Sequence, residues 1–168
     1  MSFSVRNKKQ PFVTGIYNPP SAVYGSFSST ISYDLSDSEV LQIPYNTEDI
    51  SASGVFSPLP SEKIYVQSSG VYKVLSSLQC DRTTGGNSTI NMWISVNNNA
   101  VPNSATRVVI NQSMESIMTV EWFLNLNNGD FITIDLYSPT IGARALSISA
   151  IGPVPLIPSI ITTIMKIS

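Results

Sequence analysis

The stretch Ser116–Ser138, SIMTVEWFLNLNNGDFITIDLYS, alternates with the period of an extended backbone. Met118, Val120, Trp122, Leu124 and Leu126 take every second position, with Thr119, Glu121, Phe123 and Asn125 between them. Side chains of a strand repeat every two residues, so the two sets point to opposite faces. Asn127-Asn128-Gly129-Asp130 then supplies a turn: Gly129 tolerates positive φ, and the Asp130 carboxylate can bond the turn's own backbone. Beyond it Ile132, Ile134 and Leu136 alternate with Thr133, Asp135 and Tyr137. The pattern predicts a β-hairpin with one apolar face and one mixed face, its register set at Gly129 and Asp130. An apolar face must be covered, so a second sheet is required.

Further strands are expected at Ala22–Ser32, Gly54–Phe56, Lys63–Gln67, Val71–Cys80, Thr89–Asn97, Ala105–Ile110, Arg144–Ala150 and Ile160–Ile167. Val40–Tyr45 reads as an edge strand, because Pro44 has no N–H to donate to a ladder. In Val71–Cys80 the residues Tyr72, Val74, Leu78 and Cys80 share a face; in Thr89–Asn97 Ile90, Met92, Ile94 and Val96 do, with Trp93 opposite. Asn97-Asn98-Asn99 turns the chain, Asp34–Glu39 and Asp81–Asn87 read as loops, and Gly152–Pro158 reads as a proline-rich link. No segment carries a helical period and no internal repeat is visible. The expected fold is all-β, a sandwich or barrel of about ten short antiparallel strands. Residues 1–20 form an N-terminal arm closed by Asn18-Pro19-Pro20, and residues 21–168 form one domain.

Composition narrows the function. The chain is 42% hydrophobic but only 12% charged, about half of the usual ~25%. Sparse charge on a Ser/Thr/Asn-rich surface suits strands and tight turns, and has two readings: some surface covered by other subunits, since charges are depleted at interface cores, or an uncharged β surface with no partner. Net charge is −2, and no basic cluster follows Arg6, Lys8 and Lys9, so nucleic acid is not an expected partner. The single cysteine, Cys80, excludes an internal disulfide. Residues 1–20 lack the apolar core of a leader peptide. The apolar run Pro153–Ile167 is short and contains three prolines, so no membrane span is expected.

The order of segments carries a resemblance. Gly70 and Tyr72 give a Gly-x-Tyr strand, Trp93–Asn99 leads a strand into an Asn-rich turn, and Leu126, Gly129, Asp130 and Ile132 form a Leu-x-x-Gly-Asp-x-hydrophobic turn. Together, over residues 22–167, these resemble the jelly-roll superfamily of tumour necrosis factor and the complement globular head. The resemblance implies a single jelly-roll β-sandwich and a homo-oligomer, a trimer before a pentamer. Related domains occur as spike heads, decorations and vertex proteins of large DNA viruses and phages, and Ile157-Pro158-Ser159-Ile160-Ile161 looks like the ends of several of them. The short arm, with no collagen stalk or leader, departs from the secreted animal branch. The expectation is therefore a structural virion protein: a trimeric spike, decoration or minor capsid component on the capsid surface, made in the host cytoplasm. A pentameric penton or vertex protein is the alternative. A carbohydrate- or receptor-binding module of the same fold, meeting a host-surface glycan, is another. The arm Met1–Pro20 is expected to dock on a neighbouring subunit or another capsid protein.

Chemistry is thinly provided. The absence of His excludes Ser-His-Asp and Cys-His catalysis and the common zinc spheres. Cys80 has no imidazole to activate it and reads as a buried small residue. Thr84-Gly85-Gly86-Asn87 lacks the Lys and helix of a phosphate loop. Asp34, Asp37 and Glu39 offer hard oxygens for calcium without matching a calcium-loop pattern, and read as a solvated acidic loop. Asn87-Ser88-Thr89 and Asn111-Gln112-Ser113 fit the glycosylation acceptor pattern by chance. No enzyme, metal or cofactor is expected. The remaining candidates are aromatics on mixed faces: Trp93, Phe123 and Tyr137 are expected at a subunit interface, with sugar stacking or ordinary packing as alternatives.

Overall fold

The computed structural model describes residues 22–35, 39–83, 85–111 and 114–168. The arm 1–20, Asp37 and the Gln112-Ser113 part of the second acceptor pattern lie outside the described residues. Fourteen strands are described: β1 Tyr24–Ser29, β2 Tyr33–Leu35, β3 Leu41–Gln42, β4 Thr47–Ser53, β5 Val55–Phe56, β6 Ile64–Val66, β7 Gly70–Arg82, β8 Ser88–Val96, β9 Asn99–Ala100, β10 Thr106–Ile110, β11 Ser116–Leu126, β12 Phe131–Tyr137, β13 Ala143–Ala145 and β14 Ile160–Lys166. They form two antiparallel sheets of a jelly-roll sandwich. In the first, β7 lies between β11 on one side and β14 with β13 on the other; β14 continues to β1 and β4, and β13 to β2. The second runs β10-β8-β12-β6-β5, with β3 beside β12 and β9 beside β8.

The predicted hairpin is not one. β11 pairs along its whole length with β7 in the first sheet, whereas β12 pairs with β8, β6 and β3 in the second. The turn 127–130 is a corner that carries the chain across the sandwich. Alternation reports which face of a strand is apolar, not which strand lies beside it; here both apolar faces meet across the core. The corner is pinned by backbone bonds from Gly129 N to Val66 O (2.9 Å) and from Val66 N to Asp130 O (2.9 Å). Asp130 accepts from Asn127 N (2.7 Å) and Asn97 Nδ2 (2.8 Å), and those bonds, Asn127's first, hold its carboxyl below the usual range.

The core is the set that the alternation marks. Tyr72, Val74, Leu78 and Cys80 of β7 and Met118, Trp122, Leu124 and Leu126 of β11 face Ile90, Met92, Ile94, Ile132, Ile134 and Leu136 across the sandwich, all buried. Each large side chain so buried contributes about 1.5–3 kcal/mol. Trp122 Nε1 donates to Ser104 O at 2.9 Å, so the indole is buried without an unmade bond. Between the sheets, Tyr45 Oη, Thr162 Oγ1 and Ser76 Oγ form a chain of two 2.8 Å bonds, and burial raises the Tyr45 phenol well above its ordinary pKa. Arg144 Nε and Nη2 clamp Asp81 at 2.9 and 2.6 Å where β13 joins β7.

The structure adds to the local reading in two places. The stretch Thr47–Ser53, without alternation, is β4: it zips onto β1, and Ser28 Oγ donates to Asp49 Oδ1 at 2.8 Å. The link 152–158 is the second half of a small hairpin in which Ile148 pairs with Ile157 and Ile151 with Val154.

Gly70 opens β7 because nothing larger fits: a Cβ there would stand 2.2 Å from Ser168 O, the acceptor of the 3.0 Å bond from Val71 N. Gly70→Ala is expected to cost about 1–3 kcal/mol by forcing these strands apart, read as a lower denaturant midpoint with an unchanged slope. For Asp130, a folded pKa below the unfolded value of about 3.9 means stability present above that value and lost as pH falls through the folded pKa. The stability gap between wild type and Asp130→Asn should therefore be full at neutral pH and shrink below about pH 4; a gap independent of pH would contradict this.

Candidate functional site

Inward burial on β7, β11 and β14 fixes what faces out. The outward positions fall into rows across the first sheet: Phe123, Lys73, Met165 and Tyr24 in one; Glu121, Leu75, Thr163 and Ser26 in the next; Thr119, Ser77, Ile161 and Ser28 in a third. Ile117, beside Gln79, extends the face at one end. Ile117 is 66% and Phe123 61% exposed, and Leu75, Ile161, Met165 and Tyr24 are exposed with them. Within these rows the charges are Lys73 and Glu121, which pair at 2.5 Å and cancel. Ser77 Oγ and Thr119 Oγ1 bond to each other at 3.0 Å. The face thus carries exposed apolar side chains set between polar ones, and its ion pair and the Ser77–Thr119 pair close internally. Single exposed apolar residues are ordinary, whereas a contiguous run on one sheet face marks an interaction surface.

The outer face of the second sheet is of another kind. Asp135 is only 4% exposed. It accepts from Ser95 Oγ (2.5 Å) and Thr133 Oγ1 (2.9 Å), and Gln42 Nε2 reaches Thr133 Oγ1 at 3.4 Å. Trp93 lies opposite Asp135 and Tyr137 opposite Asn91, both half-buried. Phe56 stacks on Tyr65 at 5.0 Å between centroids, Tyr65 meets Phe131 at 5.3 Å, and Lys63 Nζ stands 4.8 Å over the Phe131 ring. These aromatics already have partners within the chain.

Trp93, Phe123 and Tyr137 therefore do not gather. Phe123 stands on the first sheet's outer face, Trp93 and Tyr137 on the second's, with the sandwich between them. Leu75, Ile117, Ile161 and Met165 join Phe123 instead. The signal that finds them is parity: once the buried set of each strand is assigned, the alternate positions are still apolar. Gly129 and Asp130 hold the corner.

Among the described residues no group of three or more His, Cys, Asp or Glu side chains is placed to hold a metal ion. Asp34 lies opposite Arg144 across β2 and β13, and Glu39 is exposed. Cys80 donates to Ser116 O at 3.2 Å, and burial, with Asp81 adding, pushes its thiol up to about 12. It stays protonated at neutral pH and is no nucleophile. Among the described residues no helix is long and apolar enough to cross a membrane.

No protein-family model matches the sequence, and no curated protein matches it. Solved structures do match in fold. Murine APRIL at pH 8.5 superposes with a TM-score of 0.57 at 15% identity, over 87% of this chain and 99% of that one; its structure at pH 5.0 gives 0.55 at 10%, with the same coverage. Eiger TNF from S. frugiperda gives 0.61 at 10% identity, over 88% of this chain and 93% of that one. At such identities the likeness is one of fold: this chain is built as a tumour necrosis factor-like jelly roll.

Proposed function

We propose that this chain is a non-catalytic structural subunit that assembles as a homotrimer by burying the outer face of its first sheet, and that the assembly is a spike, decoration or minor capsid component on a virion surface. The observation that carries the reading is the group of exposed apolar side chains Phe123, Leu75, Ile161 and Met165 on one sheet face, whose charges Lys73 and Glu121 pair with each other. Covering it removes apolar area worth about 25 cal/mol per Å² before the entropy of association is subtracted. A standard interface takes about 800 Å² from each partner, the scale of one sheet face. The trimer is supported by the resemblance of the sequence to a superfamily whose members are usually homotrimers, and by the matching fold. The virion placement rests on the resemblance of Ile157–Ile161 to the ends of viral jelly-roll proteins; detection of the chain in purified particles at stoichiometric level is its test, and absence from them overturns it.

The native mass in solution is the test of the assembly. A mass of three protomers of 18.2 kDa is expected, falling to one protomer in Phe123→Asp while the fold, read by circular dichroism, persists. Tyr137→Ser, on the other outer face, should leave the trimer intact. Five protomers would replace the trimer with a pentameric vertex subunit, and a wild-type monomer would remove the proposal.

A further inference from the structure

Between β13 and β14 the chain leaves the first sheet and returns to it after fourteen residues, and the way it leaves is constrained. Leu146 N donates to Gln79 O (2.9 Å), and Gln79 N donates to Ser159 O (2.8 Å), so both ends of the excursion are tied to β7 on one side. On the other side Ser147 N donates to Ser32 Oγ (2.9 Å) and Ser159 N to Ser29 O (2.8 Å), which ties them to the segment that joins β1 and β2. Ile160 fills the inner side, whereas Leu146, bonded opposite outward-facing Gln79, is buried outside the core cluster; with backbone on both flanks, the excursion leaves on the outer side, the side of Ile161, Leu75 and Phe123.

The excursion is a built element. Ile148 and Ile157 exchange two backbone bonds of 2.9 Å, and Ile151 and Val154 exchange two of 3.1 and 3.0 Å. The two-residue turn between the latter has Gly152 at φ 59° followed by Pro153, the order that suits a tight β-hairpin. Pro153, Pro155 and Pro158 fix φ at three further positions. What this stiff hairpin presents is apolar: Ile151 is 68% exposed, and Val154 and Leu156 are exposed beside it. No charged residue occurs from Ala145 to Met165.

A flat sheet face can be covered by a flat partner; a face with a hairpin standing on it cannot. We infer that the hairpin 148–157 is a clasp that each protomer lays against a second copy of this chain, its Ile151, Val154 and Leu156 side chains seated on an uncharged surface of the copy that covers the first sheet. The inference rests on the proposed burial of that face, with which the hairpin is continuous. The stiffness fits the role, since an element ordered before docking loses little entropy on docking. Contact between two different surfaces of one chain is also the heterologous arrangement that closes a ring.

The test is the double variant Ile151→Asp/Val154→Asp, whose altered side chains are exposed and should leave the melting temperature of the protomer unchanged. Expected is a rise of at least tenfold in the trimer's dissociation constant, together with intermolecular cross-links from a photoreactive residue placed at position 151 of the otherwise native chain. An unchanged dissociation constant in the double variant, while Phe123→Asp still dissociates the trimer, overturns the clasp and leaves the face as the interface. A wild-type monomer overturns both. Co-sedimentation of the wild type with neutral phosphatidylcholine vesicles, lost in the double variant, overturns it in favour of a lipid surface.

Discussion

Strict alternation along the β7–β11 pair is the constraint from which the rest follows. Burying Tyr72, Val74 and Leu78 on one strand and Trp122, Leu124 and Leu126 on the other fixes the register, because a slip of one residue would turn every one of them into water. The same register leaves no freedom to the other face: Leu75, Ile117 and Phe123 must point outward. Loop side chains can turn away from water, but these stand on the longest strand pair of the fold. Exposed apolar side chains on the outer face are therefore a fixed property of the folded protomer, and the proposed association would cover them.

Elsewhere several buried polar groups find partners within the chain. Tyr45, Thr162 and Ser76 bond to one another between the sheets, Asp135 takes two hydroxyl donors, and Trp122 finds a carbonyl. A buried polar group without a partner costs about 1–3 kcal/mol, so these networks remove an expense without adding much net stability. They also account for the sparse charge: Ser and Thr hydroxyls in adjacent strands do the work that ion pairs do in other folds. The first sheet's outer face follows the same rule, with Lys73 and Glu121 cancelling in place and Ser77 bonding Thr119.

Much of this was legible in the sequence, and the illegible parts share a cause. The faces of β7, β8, β11 and β12 follow from period two alone, as does the need for two layers. Partner choice does not: the Asn127–Asp130 turn has hairpin chemistry, and only its bonds to Val66 and Asn97, far away in sequence, make it a corner between sheets. β4 carries no apolar alternation because β1 and a serine–aspartate bond hold it. Asp135 looks like a surface residue until Ser95 is brought beside it. The same holds for the candidate site. Phe123 was marked by its type, but its neighbours Leu75, Ile161 and Met165 come from strands far apart in the chain, and Trp93 and Tyr137 share its chemistry without sharing its face.

The central claim is that the first sheet's outer face is covered in the working state. Hydroxyl-radical footprinting of the native protein, followed by mass spectrometry of the Phe123 and Met165 peptides over a dilution series, measures that cover directly. The account predicts both side chains protected at high concentration and oxidised as the assembly dissociates, with Phe56, exposed on the second sheet, as the internal reference. Oxidation of Phe123 and Met165 at the rate of freely exposed residues at every concentration would contradict it.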